Sequence, residues 1–208
     1  MPLVYQQNIN AVSRMAVWHI TEDEHFFLAQ VPLQKTISHW HKRLQHLAGR
    51  LLLKELYPDF PVSMIRIADT KKPYLADEPF HFSISHCGDY AAAIVSKEYR
   101  VGVDVEQVNE KIKILQKKFL SEAEMKTLLA QCSMTHEQCL TLCWSVKESV
   151  FKWWGRGSVD FKRGMVVQSV QGDAAEGKVH CLFKNETELV IHYLAFNDNF
   201  LTWVLTDH

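Results

Sequence analysis

The sequence lacks a marked excess of charge of either sign and a high content of glycine and proline. Its 23 lysines and arginines face 24 aspartates and glutamates, which gives a formal net charge of -1 at neutral pH. No overall basic field therefore argues for nucleic-acid binding. Because it has only 8 glycines and 6 prolines, and 47% of its 208 residues are hydrophobic, fibrous and disordered classes are excluded.

Long hydrophobic runs are also missing. Apolar stretches such as residues 91–95 are far shorter than the roughly 20 residues that a membrane helix requires. Residues 1–6 lack the basic flank and apolar stretch that are typical of a secretion signal. We therefore expect a cytoplasmic monomer that binds neither membranes nor nucleic acid.

Paired cysteine spacings are absent too. An odd number of cysteines is scattered without the C-x2-C pattern that is typical of zinc sites. Reduced thiols in the hydrophobic core are a better interpretation than a metal or redox role. The cysteines are Cys87, Cys132, Cys139, Cys143 and Cys181.

What is present indicates an α+β protein. Apolar spacing predicts helices over residues 38–57, 117–131 and 137–154. Strands are predicted over 80–84, 90–95, 100–106, 165–170, 178–183, 188–196 and 200–206. Each half reads as a helix followed by a hairpin, which favours a duplicated α+β lobe with a ligand groove between the two copies.

A strand with alternating side chains carries two acids. In residues 101–106 the valines face one side, and Asp104 and Glu106 face the other. Two neighbouring carboxylates indicate either a solvated strand end or a shared hard cation such as Mg2+ or Mn2+. Gly102 would let a ligand or another backbone approach this strand closely.

A second group of polar residues lies on the predicted helix 137–154. Trp144, Glu148 and Lys152 are spaced by four residues and so share one face. A Glu–Lys pair at this spacing is ordinary on helix surfaces, but the surrounding aromatic residues are less typical of a solvated face.

Candidate anion-binding residues lie nearer the N-terminus. Ser85 and His86 are expected in a hairpin turn, where a hydroxyl, an imidazole and backbone amides could bind an anion. Other basic residues suited to phosphate oxygens are Lys42, Arg43, Arg50 and Lys72. No P-loop, Gly-x-Gly-x-x-Gly or Gly-x-Ser-x-Gly motif occurs, which argues against the standard nucleotide cradles and against serine hydrolysis.

Together these motifs resemble the 4'-phosphopantetheinyl transferase family. Residues 102–106 are similar to its Gly-Val-Asp-x-Glu strand, and residues 144–152 to its Trp-x-x-Lys-Glu-x-x-x-Lys helix. The resemblance extends from Lys42 to Gly157. Three positions depart from the family pattern: Lys71 stands in place of glycine, Ser149 in place of alanine and Gln45 in place of an acid.

The resemblance implies two similar lobes, 1–103 and 104–208, related by pseudo-two-fold symmetry with the active site in the cleft between them. It implies transfer of the phosphopantetheine arm of coenzyme A to a serine of an apo acyl or peptidyl carrier protein. Asp104, Glu106 and Glu148 would hold Mg2+, or Mn2+ in its place, and Glu148, or a metal-bound water near it, would accept the serine proton. Lys152 would contact the pyrophosphate. The other residues implied to bind coenzyme A are Lys42, Arg43, Arg50, Lys72, Ser85 and His86.

Two other functions stay open at this point. A metal-dependent phosphohydrolase would use the same acids and bases, and would cleave coenzyme A without a protein acceptor. A catalytically silent protein would bind a nucleotide or a carrier protein without turnover.

Overall fold

The computed structural model describes residues 2–131 and 133–207. Its contacts divide the chain into two compact units, one reaching Val101 and including Asp207, the other spanning Gly102–Thr206. The mixture of helices and sheets confirms the predicted α+β class. The domain boundary at residues 103 and 104 and the pseudo-two-fold relation stay predictions.

The first unit is a sheet covered by one long helix. Its elements are β1 (Leu3–Asn8), β2 (Ser13–His19), α1 (Glu24–Leu28), α2 (Trp40–Leu56), a 3-10 turn (Val62–Met64), β3 (Arg66–Ile67), β4 (Pro73–Tyr74), β5 (His81–Cys87) and β6 (Tyr90–Ser96). The main sheet has the antiparallel order β1-β2-β6-β5, and β3 pairs with β4. The apolar stripe of α2, with Leu47 and Leu51, is buried against this sheet.

The second unit places three helices on a five-stranded sheet. Its elements are β7 (Arg100–Gln107), which begins just before the unit, α3 (Ile112–Phe119), α4 (Glu122–Gln131), α5 (His136–Trp154), β8 (Met165–Gly172), β9 (Glu176–Phe183), β10 (Thr187–Phe196) and β11 (Asn199–Thr206). The strand order is β7-β11-β10-β9-β8. Val146, Val150 and Phe200 belong to its buried core.

Local signals define the ends of α5. The Thr135 hydroxyl accepts a hydrogen bond from the Gln138 amide, and the Gln138 side chain accepts one from the Thr135 amide, which is a complete capping box. Gly155 ends the helix in the left-handed conformation with φ of 68°, which glycine adopts without steric cost. The predicted helix and its glycine termination are confirmed.

The predicted helix over 117–131 is wrong in one respect, because two helices occupy this region. Leu120 is buried and extended after α3, with φ of -117°. Ser121 then starts α4: its hydroxyl accepts from the Glu124 amide at 3.2 Å, and its own amide donates to Glu124 Oε2 at 2.8 Å. The capping signal was read correctly, but the sequence pattern did not reveal the preceding α3.

The helix-then-hairpin pattern is incomplete in the first unit. Two strands, β1 and β2, and the short helix α1 precede α2. Of the cysteines, Cys139, Cys143 and Cys181 are buried free thiols and Cys87 is half-buried, as expected for reduced core residues. Cys132 lies outside the described residues. Among the described helices, none is both long and apolar enough to cross a bilayer.

Candidate functional site

Strand β7 and helix α5 place the predicted acids within the second unit. A glycine makes this packing possible: a Cβ at Gly102 would lie 2.1 Å from the Ser149 carbonyl oxygen and 2.7 Å from the Trp153 amide nitrogen. Gly102 therefore serves the close approach of the helix backbone to the strand, which is one of the two explanations that its sequence context offered. This approach sets Asp104 opposite the polar face of α5.

Asp104 is enclosed and paired with helix residues. Its side chain is 2% exposed, its Oδ1 accepts from Lys152 Nζ at 2.6 Å, and its Oδ2 accepts from Ser145 Oγ at 2.9 Å. The alternative of a solvated strand end is wrong for Asp104. Burying a carboxylate is costly unless a cation or hydrogen-bond donors accompany it, and here α5 supplies both.

The other two acids lie in the same electrostatic environment. Glu106 Oε1 accepts a hydrogen bond from Trp144 Nε1 at 3.2 Å. The pKa of Glu148 is raised to about 7: burial is the largest cause, the charges of Asp104 and Glu106 add to the rise, and Lys152 opposes it. Three carboxylates therefore interact on one side of α5, and their mutual repulsion contributes to the raised pKa of Glu148.

The donor chemistry of this group suits a hard divalent cation, because carboxylate oxygens are the ligands that Mg2+ and Mn2+ prefer. The raised pKa of Glu148 reflects burial together with a repulsion that such an ion would relieve. Among residues 2–131 and 133–207, however, no three acid, histidine or cysteine side chains are already arranged to hold a metal. The metal site stays a prediction.

Lys147 has a different role from its neighbour Glu148. Its side chain is fully buried, and its Nζ donates to Glu124 Oε1 at 2.6 Å, to the Phe119 carbonyl at 2.6 Å and to the Phe161 carbonyl at 2.9 Å. Glu124 Oε1 also accepts from the Val167 amide at 3.0 Å. Lys147 thus ties α5 to the surrounding segments.

In the first unit, Arg43 is already committed to a carboxylate. Its Nε and Nη2 donate to the two oxygens of Glu24 at 2.9 and 2.8 Å, and its Nη1 donates to the Ile37 carbonyl at 3.2 Å. Lys42, the preceding residue on α2, is exposed. Of these two predicted phosphate ligands, Arg43 is therefore paired with a carboxylate, whereas Lys42 is exposed to solvent.

Arg50 lies in a buried basic cluster. Its Nε donates to Gln34 Oε1 at 3.0 Å, its Nη1 lies 3.2 Å from His46 Nδ1, and burial lowers the pKa of Arg50 to about 10. Burial, followed by the charges of Arg50, Lys35 and His86, lowers the pKa of His46 to about 3. His46 Nε2 is buried without a hydrogen-bond partner among the described residues. This cluster is rich in positive charge.

Ser85 and His86 do not lie in the hairpin turn, so that expectation is wrong. They belong to β5, where they pair with Ala92 and Ala91 of β6, and the turn contains Gly88 and Asp89. The serine side chain is buried, whereas His86 is exposed. Strand β5 continues through Ser85 and His86, and the polar residues of the turn begin only after Cys87.

Lys72 is the remaining predicted ligand in this unit. It is half-buried, and burial, with a smaller contribution from Arg100, lowers its pKa to about 8. Its charge near neutral pH is therefore more easily changed than that of an exposed lysine.

Sequence reasoning missed several residues that contribute to these sites. Ser145 contacts Asp104, and no sequence signal pointed to it; the indole of Trp144, whose spacing already placed it on the face of Glu148, contacts Glu106. In the first unit, an open depression of about 430 Å³ is lined by seven residues, of which Arg43 alone is a predicted ligand. They are Glu24, Leu33, Gln34, Lys35, Thr36, Ile37 and Arg43.

Comparison with known proteins gives one family. Residues 100–201 match the sequence model of the 4'-phosphopantetheinyl transferase superfamily. The matched segment contains β7 and α5, with all four residues predicted to be catalytic.

Curated relatives agree with this match. Enterobactin synthase component D of Salmonella austin is 32% identical over 111 residues, which cover 53% of this chain and 47% of the relative. Its counterpart in Escherichia coli (strain K12) is 27% identical over 154 residues, covering 73% and 66%. The 4'-phosphopantetheinyl transferase Sfp of Bacillus subtilis (strain 168) is 29% identical over 146 residues, 65% of each chain. The chain thus spans from about half to just under two thirds of the length of these relatives.

Proposed function

We propose that the chain, whose residues 100–201 match the sequence model of the 4'-phosphopantetheinyl transferase superfamily, transfers the 4'-phosphopantetheine arm of coenzyme A to a carrier protein. The acceptor is a serine hydroxyl of an apo acyl or peptidyl carrier protein, and the second product is adenosine 3',5'-bisphosphate. The observation that carries the proposal is the convergence of Asp104 with Ser145 and Lys152 of α5, inside the matched segment.

The reaction is a phosphoryl transfer. The serine oxygen forms a bond to the phosphorus that bears the pantetheine, and the bond from this phosphorus to the bridging oxygen of the diphosphate breaks. Such reactions depend mainly on positioning and on neutralising the charge of the phosphate oxygens. A partly exposed lysine such as Lys152 can neutralise charge of this kind directly.

Glu148 is the proposed acceptor of the serine proton. Burial raises its pKa to about 7, close to the value at which a general base works best at neutral pH. Asp104 is less suited to this role because Lys152 and Ser145 already occupy both of its oxygens. Its role in the proposal is that of a metal ligand.

Asp104, Glu106 and Glu148 are the residues that we propose to hold Mg2+, with Mn2+ as a substitute. When bound, the ion would supply positive charge that offsets the charge of the diphosphate. All three carboxylates belong to the second unit, and the hard oxygen chemistry of this donor set supports the proposal.

Residues of the first unit are proposed to bind the phosphate groups of coenzyme A. The positive charges of Arg50 and Lys35, which both lower the pKa of His46, support this role. The residues are Lys42, Arg43, Arg50, Lys72, Ser85 and His86. We also propose that the protein is a monomer and that it acts in the cytoplasm.

The decisive experiment incubates the purified protein with coenzyme A, Mg2+ and a panel of apo carrier proteins. Intact-protein mass spectrometry should detect the added arm on the serine of at least one carrier. Asp104→Ala and Glu148→Gln should lose this activity while circular dichroism shows an intact fold. Full modification by either variant would contradict the assigned roles.

The same assay separates the alternatives. Cleavage of coenzyme A in the absence of any carrier would favour a phosphohydrolase. Binding of coenzyme A without product, with or without a carrier, would favour a silent binding protein.

A further inference from the structure

The Lys152–Asp104 pair lies within the group of carboxylates proposed to bind a divalent ion. Lys152 Nζ contacts Asp104 Oδ1 at 2.6 Å, and Ser145 Oγ holds the other oxygen at 2.9 Å. Ser145 is fully buried and Asp104 is 2% exposed, so the carboxylate is held in place. The lysine side chain is 26% exposed and ends a flexible stem, which makes it the mobile member of the pair.

An ammonium group and a divalent ion make competing demands on one carboxylate oxygen. Mg2+ binds oxygen at about 2.0 to 2.1 Å and requires nearly ideal octahedral geometry. With Lys152 Nζ at 2.6 Å from Asp104 Oδ1, an ion bound to the same oxygen would lie close to the ammonium, and the two positive charges would repel each other. This repulsion favours withdrawal of the lysine when Asp104 becomes a metal ligand.

We propose that Lys152 and the divalent ion compete for Asp104, so that metal binding releases the lysine ammonium from the carboxylate. This inference rests on the proposed function, because it makes the released Lys152 available to the diphosphate of coenzyme A. The exchange keeps Asp104 paired with a positive charge in both states. Binding of the metal and release of Lys152 toward the diphosphate are then coupled.

The neighbouring lysine of α5 cannot take part in such an exchange. Lys147 is fully buried and its Nζ contacts a carboxylate and two carbonyls. Leaving that position would abandon all these partners in the protein interior, at a large cost. The competition is thus specific to the partly exposed pair.

The experiment measures Mn2+ binding by the signal of free Mn2+ in electron paramagnetic resonance, without coenzyme A or carrier. If Lys152 occupies Asp104 most of the time, Lys152→Met should tighten Mn2+ binding on the order of tenfold. Lys152→Arg keeps a cation at this site and should bind Mn2+ no more tightly than the wild type. Lys118→Met removes an exposed lysine of α3 and controls for net charge, so its affinity should stay near that of the wild type.

Thermal unfolding gives a second measurement. In the presence of a chelator, Lys152→Met should unfold at a lower temperature than the wild type, because Asp104 loses its cation. Mn2+ should then raise the unfolding temperature of the variant more than that of the wild type. Circular dichroism verifies its fold, and Lys152→Gln provides a polar replacement with the same expected direction.

Equal or weaker Mn2+ binding by Lys152→Met and Lys152→Gln would overturn the competition, as would an equal gain in Lys118→Met. No binding by the wild type or either variant would overturn it too. Modification of a carrier by the wild type is measured separately. A gain in Mn2+ affinity without carrier modification would therefore refute only the proposed function, and carrier modification without the gain would refute only the competition.

Discussion

Helix α5 carries two lysines that each pair with a buried carboxylate, and the pairs differ in how completely they are enclosed. Lys147 and Glu124 are 0% and 1% exposed, whereas Lys152 and Asp104 are 26% and 2% exposed. The three protons of the Lys147 ammonium meet three acceptors, which are one carboxylate oxygen and two backbone carbonyls. The first pair therefore holds the helix in place, and the second has one member that can exchange.

On the same helix, Lys147 contributes to stability, and Lys152, five residues later, is available for binding. Lys147 and Glu148 are adjacent in sequence but point to different surroundings, since one is fully buried and the other half-buried. A fixed Lys147 limits how far the backbone at Glu148 can move. This comparison predicts that changes at Lys147 affect unfolding first, and changes at Lys152 affect binding first.

The largest expected effect comes from breaking the enclosed pair. Lys147→Met should lower the free energy of unfolding by about 3 to 5 kcal/mol, because Glu124 and two carbonyls lose their buried cation. Urea denaturation followed by circular dichroism measures this change. The double variant Lys147→Met with Glu124→Leu should cost less than the sum of the two single variants. A loss similar to that of an exposed lysine such as Lys118 would contradict the role of the pair.

The contact between β7 and α5 supports the second pair, and Gly102 tests it. Gly102→Ala should lower the free energy of unfolding by about 3 kcal/mol, because the new methyl group meets the helix backbone, which cannot rotate away. Gly49→Ala in α2 is the matched control. Its Cβ would meet only the Ile84 side chain, at 2.6 Å, so chemical denaturation should show a smaller loss. A larger loss at Gly49 would reverse the argument.

The third prediction concerns the raised pKa of Glu148, which lies near Asp104 and Lys152. The pKa of Glu148 is raised from 4.5 to about 7 in the folded protein, so the folded state binds the proton more tightly than the unfolded state. The stability that protonation contributes is complete below pH 4.5 and is lost as the pH rises through 7. Glu148→Gln should therefore be similar in stability to the wild type in acid and more stable above neutral pH, by about 1 to 3 kcal/mol.

Urea denaturation of both proteins across this pH range, with a chelator present, measures the difference. Asp160→Asn is a control, because the pKa of Asp160 is lowered by hydrogen bonds from the Arg163 and Lys162 amides. That variant should lose stability relative to the wild type above the acid range. A stability difference for Glu148→Gln that does not vary with pH would show that its carboxylate is already solvated.

Sequence patterns predicted α5, the strand that carries Asp104 and Glu106, and the α+β class. These features depend on local periodicity and capping, which neighbouring residues encode. The enclosure of Asp104 could not be read from alternation alone, because both faces of β7 are covered and the covering helix lies some 40 residues later in the chain. Ser145 could not be predicted for the same reason. Its role depends on contact with β7, and nothing in its local sequence indicates that contact.

The first unit was predicted less well for a related reason. Strands β1 and β2 carry mixed polar and apolar residues, so their pairing depends on contacts with β6 rather than on a strong local pattern. Ser85 and His86 were assigned to a turn although the β5 ladder continues to Cys87. For β2 the partner strand β6 is distant in sequence, and a single sequence does not identify it.

The smallest effect is expected at a third ion pair, which extends the comparison to the surface. Arg43 and Glu24 form a bidentate pair, with 27% and 30% of their side chains exposed. Water and salt screen such a pair, so Glu24→Gln should change the unfolding temperature little, and by even less at high salt. Differential scanning calorimetry at low and high salt measures this, with Lys147→Met as the contrasting variant. A loss at Glu24 as large as that at Lys147 would mean that enclosure does not determine how much an ion pair of this protein contributes.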